Sequence, residues 1–114
     1  MKIINVTNDT SVNVNGTGLR GYVRTTYADI VAAFGEPTYR ADHSGDGKVS
    51  VEWTLEFEVE LQDAPGSFMR EFVVATIYDW KCPSTPLGEY DWHVGGFSTQ
   101  VIECIYSLLQ EKVL

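Results

Sequence analysis

Cys82, Cys104, His43 and His93 are the only side chains in the sequence with thiol or imidazole chemistry. Nucleophilic catalysis needs a thiol beside a base. Cys82 and His93 could meet only if the strands carrying them pair. A third group to orient the base and a donor set for a developing anion are both missing from the pattern, so no catalytic residue is assigned and a non-enzymatic protein is expected. His93 with Asp79 and Asp91 has the right donor types for a metal but not a diagnostic spacing, and the cysteines form no C-x-x-C. No metal or cofactor is expected. Asp42, Ser44, Asp46 and Gly47 copy the first half of an EF-hand calcium loop. The copy fails at its twelfth position, where Trp53 stands in place of a bidentate glutamate and Glu52 comes one place early, so the stretch reads as a polar turn. Gly95-Gly96 before the last helix is read as a turn rather than an anion-binding loop.

Binding chemistry is better represented. Tyr78-Asp79-Trp80 recurs as Tyr90-Asp91-Trp92, followed by His93. Each copy sets a carboxylate between two amphipathic rings, a composition that suits a contact surface. The same rings would equally serve to cover the end of a sheet, with the aspartates in water. A second candidate is the acidic stripe Glu52, Glu56, Glu58 and Glu60 on the wet side of a long strand. Across the 114 residues, 16 acidic against 8 basic side chains leave a formal net charge of −8. That excess disfavours phosphate backbones, so no direct nucleic-acid contact is expected, and it suits a partner with a basic surface.

Several elements must position these residues. Lys2–Thr7 and Ser11–Val14 read as short strands separated by Asn8-Asp9, making residues 1–17 an N-terminal hairpin or arm. Leu19–Arg24 alternates as a further strand. Thr26 caps a helix whose apolar residues Tyr27, Ile30, Val31 and Phe34 share one face, and Gly35 with Pro37 ends it. Val49 to Leu61 alternates strictly with polar residues, a strand with one core face. After a turn at residues 62–67, Phe68–Trp80 returns as its antiparallel partner. Tyr90–Val94 forms a short strand that Gly95-Gly96 breaks, and a closing helix begins with an N-cap at Ser98 and runs to about Lys112. The expected fold is one α+β domain over 1–114: an antiparallel sheet of four to six strands with both helices on one face. Apolar residues at 44% of the chain are enough to fill one such core. With no apolar leader after Met1 and no long apolar run, a cytoplasmic chain with reduced thiols and no membrane association is expected.

Leu19-Arg20-Gly21-Tyr22-Val23-Arg24-Thr25-Thr26-Tyr27, Phe34-Gly35-Glu36-Pro37, Glu52-Trp53, Ala75-Thr76-Ile77-Tyr78-Asp79-Trp80-Lys81 and Asp91-Trp92-His93-Val94-Gly95-Gly96 together resemble a family of small tailed-bacteriophage proteins. The resemblance covers roughly residues 19 to 112, Asp-Trp-His-x-Gly-Gly being its most specific part. It implies the cytoplasm of an infected bacterium as the setting and implies no activity. With the charge, it leads to the expectation of a binding protein acting by protein-protein contact, inhibiting a host defence or nucleic-acid-handling protein in the manner of anti-CRISPR or anti-restriction proteins. A nucleotide-sequestering pocket and a virion or scaffold component are the alternatives.

Overall fold

Along the longest strand, Val51, Trp53, Leu55, Phe57 and Val59 are buried, while Glu52, Glu56, Glu58 and Glu60 on the opposite side are half-buried. Period-two alternation of this kind gives a sheet one dry face and one wet face. The computed structural model describes residues 2–40 and 48–113. The Asp42–Asp46 calcium-like stretch and His43 lie outside them. The described elements, in chain order, are β1 (Lys2–Asn8), β2 (Gly18–Thr25), α1 (Tyr27–Phe34), β3 (Tyr39–Arg40), β4 (Val51–Ala64), β5 (Ser67–Tyr78), β6 (Tyr90–Gly96) and α2 (Gln100–Val113).

The six strands form one antiparallel sheet in the order β1-β4-β5-β6-β2, with β3 also paired to β4. Glu52 faces Tyr39 on one side and Tyr78 on the other, so β3 lies on the β1 side of β4. The β4–β5 hairpin runs further toward its turn than the expected 49–61 and 68–80 arms, and stops short of their outer ends. Its strands stay paired from Glu52↔Tyr78 to Ala64↔Ser67, leaving Pro65-Gly66 as the turn. Gly66 has φ 76, a left-handed value that glycine adopts without steric cost.

The N-terminal hairpin does not form. β1 pairs with β4 and β2 with β6, so the first two strands stand at opposite edges of the sheet. Residues 11–14 are not a strand: Val12 N donates to Asp9 O at 3.2 Å and Thr17 N to Val14 O at 3.2 Å, both turn contacts. The local alternation of Val12 and Val14 with polar residues is too short to impose a strand where turn chemistry competes.

Both helices cover the dry face. Ile30 and Phe34 of α1 and Val101, Cys104, Ile105 and Leu109 of α2 join Trp53, Phe57, Ile77, Trp92 and Val94 in one buried cluster. The fold class is therefore α+β, as expected.

Helix α1 is short, and its ends are held from outside. Thr26 Oγ1 accepts from Asp29 N at 3.2 Å, the expected cap. Trp92 Nε1 donates to Thr25 O at 3.1 Å just before the helix, and Trp53 Nε1 donates to Gly35 O at 2.9 Å just after it. Asn8 Nδ2 donates to Phe34 O at 2.9 Å and Glu36 O at 2.8 Å. Carbonyls that a helix end leaves without intrahelical partners are thus satisfied by the sheet. An eight-residue helix is marginal in isolation, so these tethers and its buried face account for its presence.

Replacing either indole by phenyl leaves a carbonyl unpaired and a space in the cluster. Trp53→Phe and Trp92→Phe should each destabilise the fold by about 2–4 kcal/mol in chemical denaturation. Amide exchange should rise most in α1, and an unchanged rate there would contradict the tethering role.

Candidate binding site on the helix-free sheet face

Strand β6 decides which aromatics are interior. His93 pairs with Tyr22 of β2 and Tyr78 of β5, and Tyr78 pairs with Glu52 of β4, which pairs with Tyr39 of β3. Directly opposed residues lie on the same face of a sheet. Tyr22, His93, Tyr78, Glu52 and Tyr39 therefore form one row across the helix-free face, and Trp92, one residue earlier in β6, points to the core. Tyr22 is 51% exposed and Trp92 is 0% exposed.

The rings of the row touch. Tyr22 and His93 centroids are 4.9 Å apart in an edge arrangement, and Tyr78 and His93 are 5.4 Å apart. Trp80, 40% exposed, joins them at 6.3 Å from His93 and 6.5 Å from Tyr78. Two ammonium groups lie over the Trp80 ring, Lys48 Nζ at 5.7 Å and Lys81 Nζ at 5.9 Å from its centroid. These are cation–π distances. Lys81 has φ 56, and its N–H donates to Lys48 O at 2.7 Å, which holds the left-handed turn in place.

The two Tyr-Asp-Trp copies thus have different fates, and two of the residues expected in a contact surface, Asp79 and Trp92, are buried instead. Asp79 is fully buried, its carboxylate accepting from Ser50 N at 2.8 Å, Ser50 Oγ at 2.6 Å and Val51 N at 3.3 Å. Ser50 Oγ is also 2.8 Å from Thr85 Oγ1, tying the Pro-rich loop to the same anchor. A buried carboxylate persists only where donors surround it, and here it joins the end of β5 to the start of β4. Asp91 is exposed and pairs with Arg24 at 3.3 Å; Glu89 reaches the same guanidinium at 3.6 Å. The Tyr90 ring packs edge-on against Trp92 at 5.2 Å, and its hydroxyl accepts from Trp80 N at 3.2 Å. Burial, then its hydrogen bond to Cys82, pushes the Tyr90 phenol up to about 12. Of the two copies, Tyr78, Trp80 and Asp91 remain at the surface, with His93 among them.

The acidic stripe continues the same face along β4. Glu56 lies opposite Val74 and Thr7, Glu58 opposite Phe72 and Asn5, and Glu60 opposite Arg70 and Lys2. Arg70 Nη1 meets Glu58 Oε2 at 3.1 Å. A surface pair of this kind contributes at most about 1 kcal/mol, so it offsets part of the stripe's repulsion and leaves the field acidic. Phe72, 65% exposed, stands within this stretch.

Gly95 and Gly96 do not break β6 as expected; they are its last residues. A Cβ on Gly95 would come 2.4 Å from Thr76 Oγ1, and one on Gly96 would come 2.7 Å from a Val101 methyl carbon. Each glycine is required by a close neighbour, one on each face of the sheet. Tyr22 was the surface residue that sequence reasoning passed over. Its place between Arg20 and Arg24 on the polar alternation of β2 was the available signal.

Elsewhere, a cleft of about 560 Å³ lies between β2 and the helices, lined by Arg24, Thr25, Asp29, Glu89, Tyr106, Leu109 and Gln110. Cys104 is buried and its thiol is pushed up to about 11 by that burial. Cys82 is half-buried, its Sγ donating to Trp80 O at 3.6 Å. Among the described residues no group of three or more His, Cys, Asp or Glu side chains is placed to hold a metal, and no helix is long and apolar enough to cross a membrane. Comparison with known protein families, with curated proteins and with solved structures gave no match to this chain.

Gly95→Ala should destabilise the protein by about 1–3 kcal/mol through overpacking against Thr76. Adding Thr76→Ala should cost less in that background than alone, a coupling readable in a double-mutant denaturation cycle. His93 gives a pH prediction. Its imidazole is held below the ordinary 6.5, chiefly because burial disfavours the charged form, while Asp79 pulls weakly the other way. The unfolded chain therefore takes up a proton while the folded imidazole is still neutral, and stability falls as pH drops below about 6.5. Tm measured between about pH 7.5 and 5.5 should fall less in His93→Gln than in the parent. Equal slopes would show that His93 carries no part of it.

Proposed function

We propose that this chain is a non-enzymatic binding protein that acts by protein-protein contact, docking the helix-free face of its sheet on a partner with a basic surface. The observation that carries this reading is the joining of two features on that face. An aromatic row of Tyr22, His93 and Tyr78 with Trp80 runs into a stripe of Glu52, Glu56, Glu58 and Glu60. Aromatic rings supply contact area at low entropy cost, and a single-sign stripe steers an oppositely charged partner. The net charge of −8 adds to the same field. In the phage setting that the sequence resemblance implies, the partner is a host defence or nucleic-acid-handling protein whose basic groove this acidic face would occupy. That last step rests on the resemblance and the charge.

Affinity capture from bacterial lysate at low and high ionic strength tests the reading. A basic protein should be retained at low salt, released at high salt, and lost when Glu56, Glu58 and Glu60 are replaced by glutamine. Retention of nothing at low salt, or equal retention by the glutamine variant, would overturn it. A second reading, a nucleotide-sequestering protein, is favoured by one observation: Lys48 and Lys81 place ammonium groups beside the exposed Trp80 ring, where a base could stack and a phosphate pair. It predicts a Tm rise with a mononucleotide panel, which the docking reading does not.

A further inference from the structure

We propose that the open arm of β5, Ser67–Val74, accepts an extended strand of the basic partner, which lengthens the sheet by strand addition. This rests on the docking reading and names how the partner is held once charge has drawn it in. The β4–β5 hairpin outruns its neighbours on one side. β1 covers β4 as far as Glu60, whereas β6 leaves β5 at Ala75, opposite Gly96. Among the described residues, the positions from Val74 back to Ser67 are paired on β4 alone. Every second residue of such an arm turns its N–H and C=O away from its mate. The slot beside β5, in line with β6, is therefore edged by backbone donors and acceptors that an added strand satisfies.

Three observations single out this edge. First, it is regular. β5 matches β4 residue for residue from Phe68 to Tyr78. The two outer strands are blunted instead: β1 slips register between Ile3 and Asn5, and β2 between Leu19 and Gly21, with Arg20 and Arg24 exposed along it. Bulges and charges of this kind protect an edge from pairing. Second, its apolar side chains are uncovered. Phe68 and Phe72 on the helix-free side, Met69 on the other, and Phe97 where β6 gives way to α2 are all exposed. Third, the edge has places for particular side chains. Glu71 stands mid-arm on the helix side, half-buried and without an ion pair among the described residues, since its neighbour Arg70 is turned to Glu58 on the opposite face. Beside it, a groove of about 110 Å³ between the arm and the start of α2 is lined by Val73, Phe97 and Val101.

These features select the occupant. A residue directly opposite Glu71 in the added strand has its Cβ about 5 Å away on the same face, so a basic side chain there meets the carboxylate. The residue two places along enters the groove beside Val73, and the one between them lies on the helix-free side against Phe72. The occupant is thus an alternating strand with a basic residue at its centre. A second copy of this chain fits worse, because it would bring two acidic stripes onto one continuous sheet face.

The test uses the full chain and a capped heptapeptide in which valine alternates with threonine, lysine and threonine, so that lysine is central. Its analogue with glutamate at the centre and a fully N-methylated form are the controls. The lysine peptide should bind about fivefold to tenfold more tightly than the glutamate peptide, and the N-methylated form not at all. Binding should slow amide exchange within Ser67–Val74 and leave β1 and β2 unchanged. Glu71→Gln should abolish the preference for lysine while keeping binding, and Glu71→Lys should reverse it, which a structural role for Glu71 would not do. Equal binding of the N-methylated peptide, protection on another strand, a preference unmoved by both Glu71 variants, or no binding of either unmodified peptide would each overturn the assignment. Protection of the arm in the free chain that rises with protein concentration would overturn it too, by giving the slot to a second copy. The docking reading is decided separately: loss of salt-sensitive lysate capture with peptide binding intact fells that reading alone.

Discussion

Two indole N–H groups hold the architecture in register. Trp53 and Trp92 stand side by side on β4 and β6, their ring centroids 5.5 Å apart, and reach over to the carbonyls of Gly35 and Thr25 at the two ends of α1. β5 lies between the strands that carry them, so the pair fixes the helix across three strands at once. A buried indole without an acceptor and a flanking carbonyl without a donor would each carry a desolvation penalty; pairing them removes both. Once α1 is set, α2 packs beside it and closes the dry face. The other face is left to half-exposed side chains.

The consequence is a sheet whose two faces are specified by single-residue alternation in β6. Trp92 and Val94 enter the core; Asp91, His93 and Gly95 face away from it. A shift of one residue would bury the imidazole and expose the tryptophan, so register is strongly determined here. The glycines add a second constraint. Thr76 occupies the space above Gly95 and Val101 the space above Gly96, so no larger side chain can enter the last turns of the strand without moving a neighbour. The Asp-Trp-His-x-Gly-Gly segment is therefore accounted for residue by residue: ion pair, core tether, surface imidazole, and two close approaches.

Much of this was legible because it is local. Alternation from Val51 to Val59 marks the central strand, and Thr26 with Gly35 marks α1, since caps and periodicity are written in neighbouring residues. Strand partnership is not local. Nothing in Lys2–Asn8 says that its mate is β4, with partners as far on as Glu60 for Lys2, and a hairpin with residues 11–14 was the nearest inference. The doubled Tyr-Asp-Trp misled for a related reason. Identical tripeptides suggest identical roles, but β5 ends at Tyr78 while Tyr90 begins β6. The first copy therefore leaves the sheet as the second enters it. Asp79 is drawn under by the free N–H groups of Ser50 and Val51, whereas Asp91 stays in water beside Arg24. Trp53, which the sequence marked only as an apolar strand position, is half of the central tether.

The helix-free face also has to avoid indiscriminate pairing. β6 accompanies β5 only from Ala75 to Tyr78, so among the described residues the arm Ser67–Val74 is paired on its β4 side alone. Phe68 and Phe72 are exposed there, an arrangement that invites edge-to-edge association. Arg70 and Glu71 put charged side chains in the middle of that edge, and Glu58 and Glu60 lie one strand behind it on β4, so two copies approaching edge to edge bring their acidic stripes together. Acid therefore has a use that precedes any partner: it keeps a long, partly apolar arm from pairing with itself. The same residues become attractive only toward a surface of opposite sign. On the proposed reading, charge governs approach over a Debye length and the aromatic row governs fit at contact. The two functions are separable because they occupy different parts of the face, Glu56 to Glu60 on β4 for the field and the rings of β2, β6 and β5 for the contact.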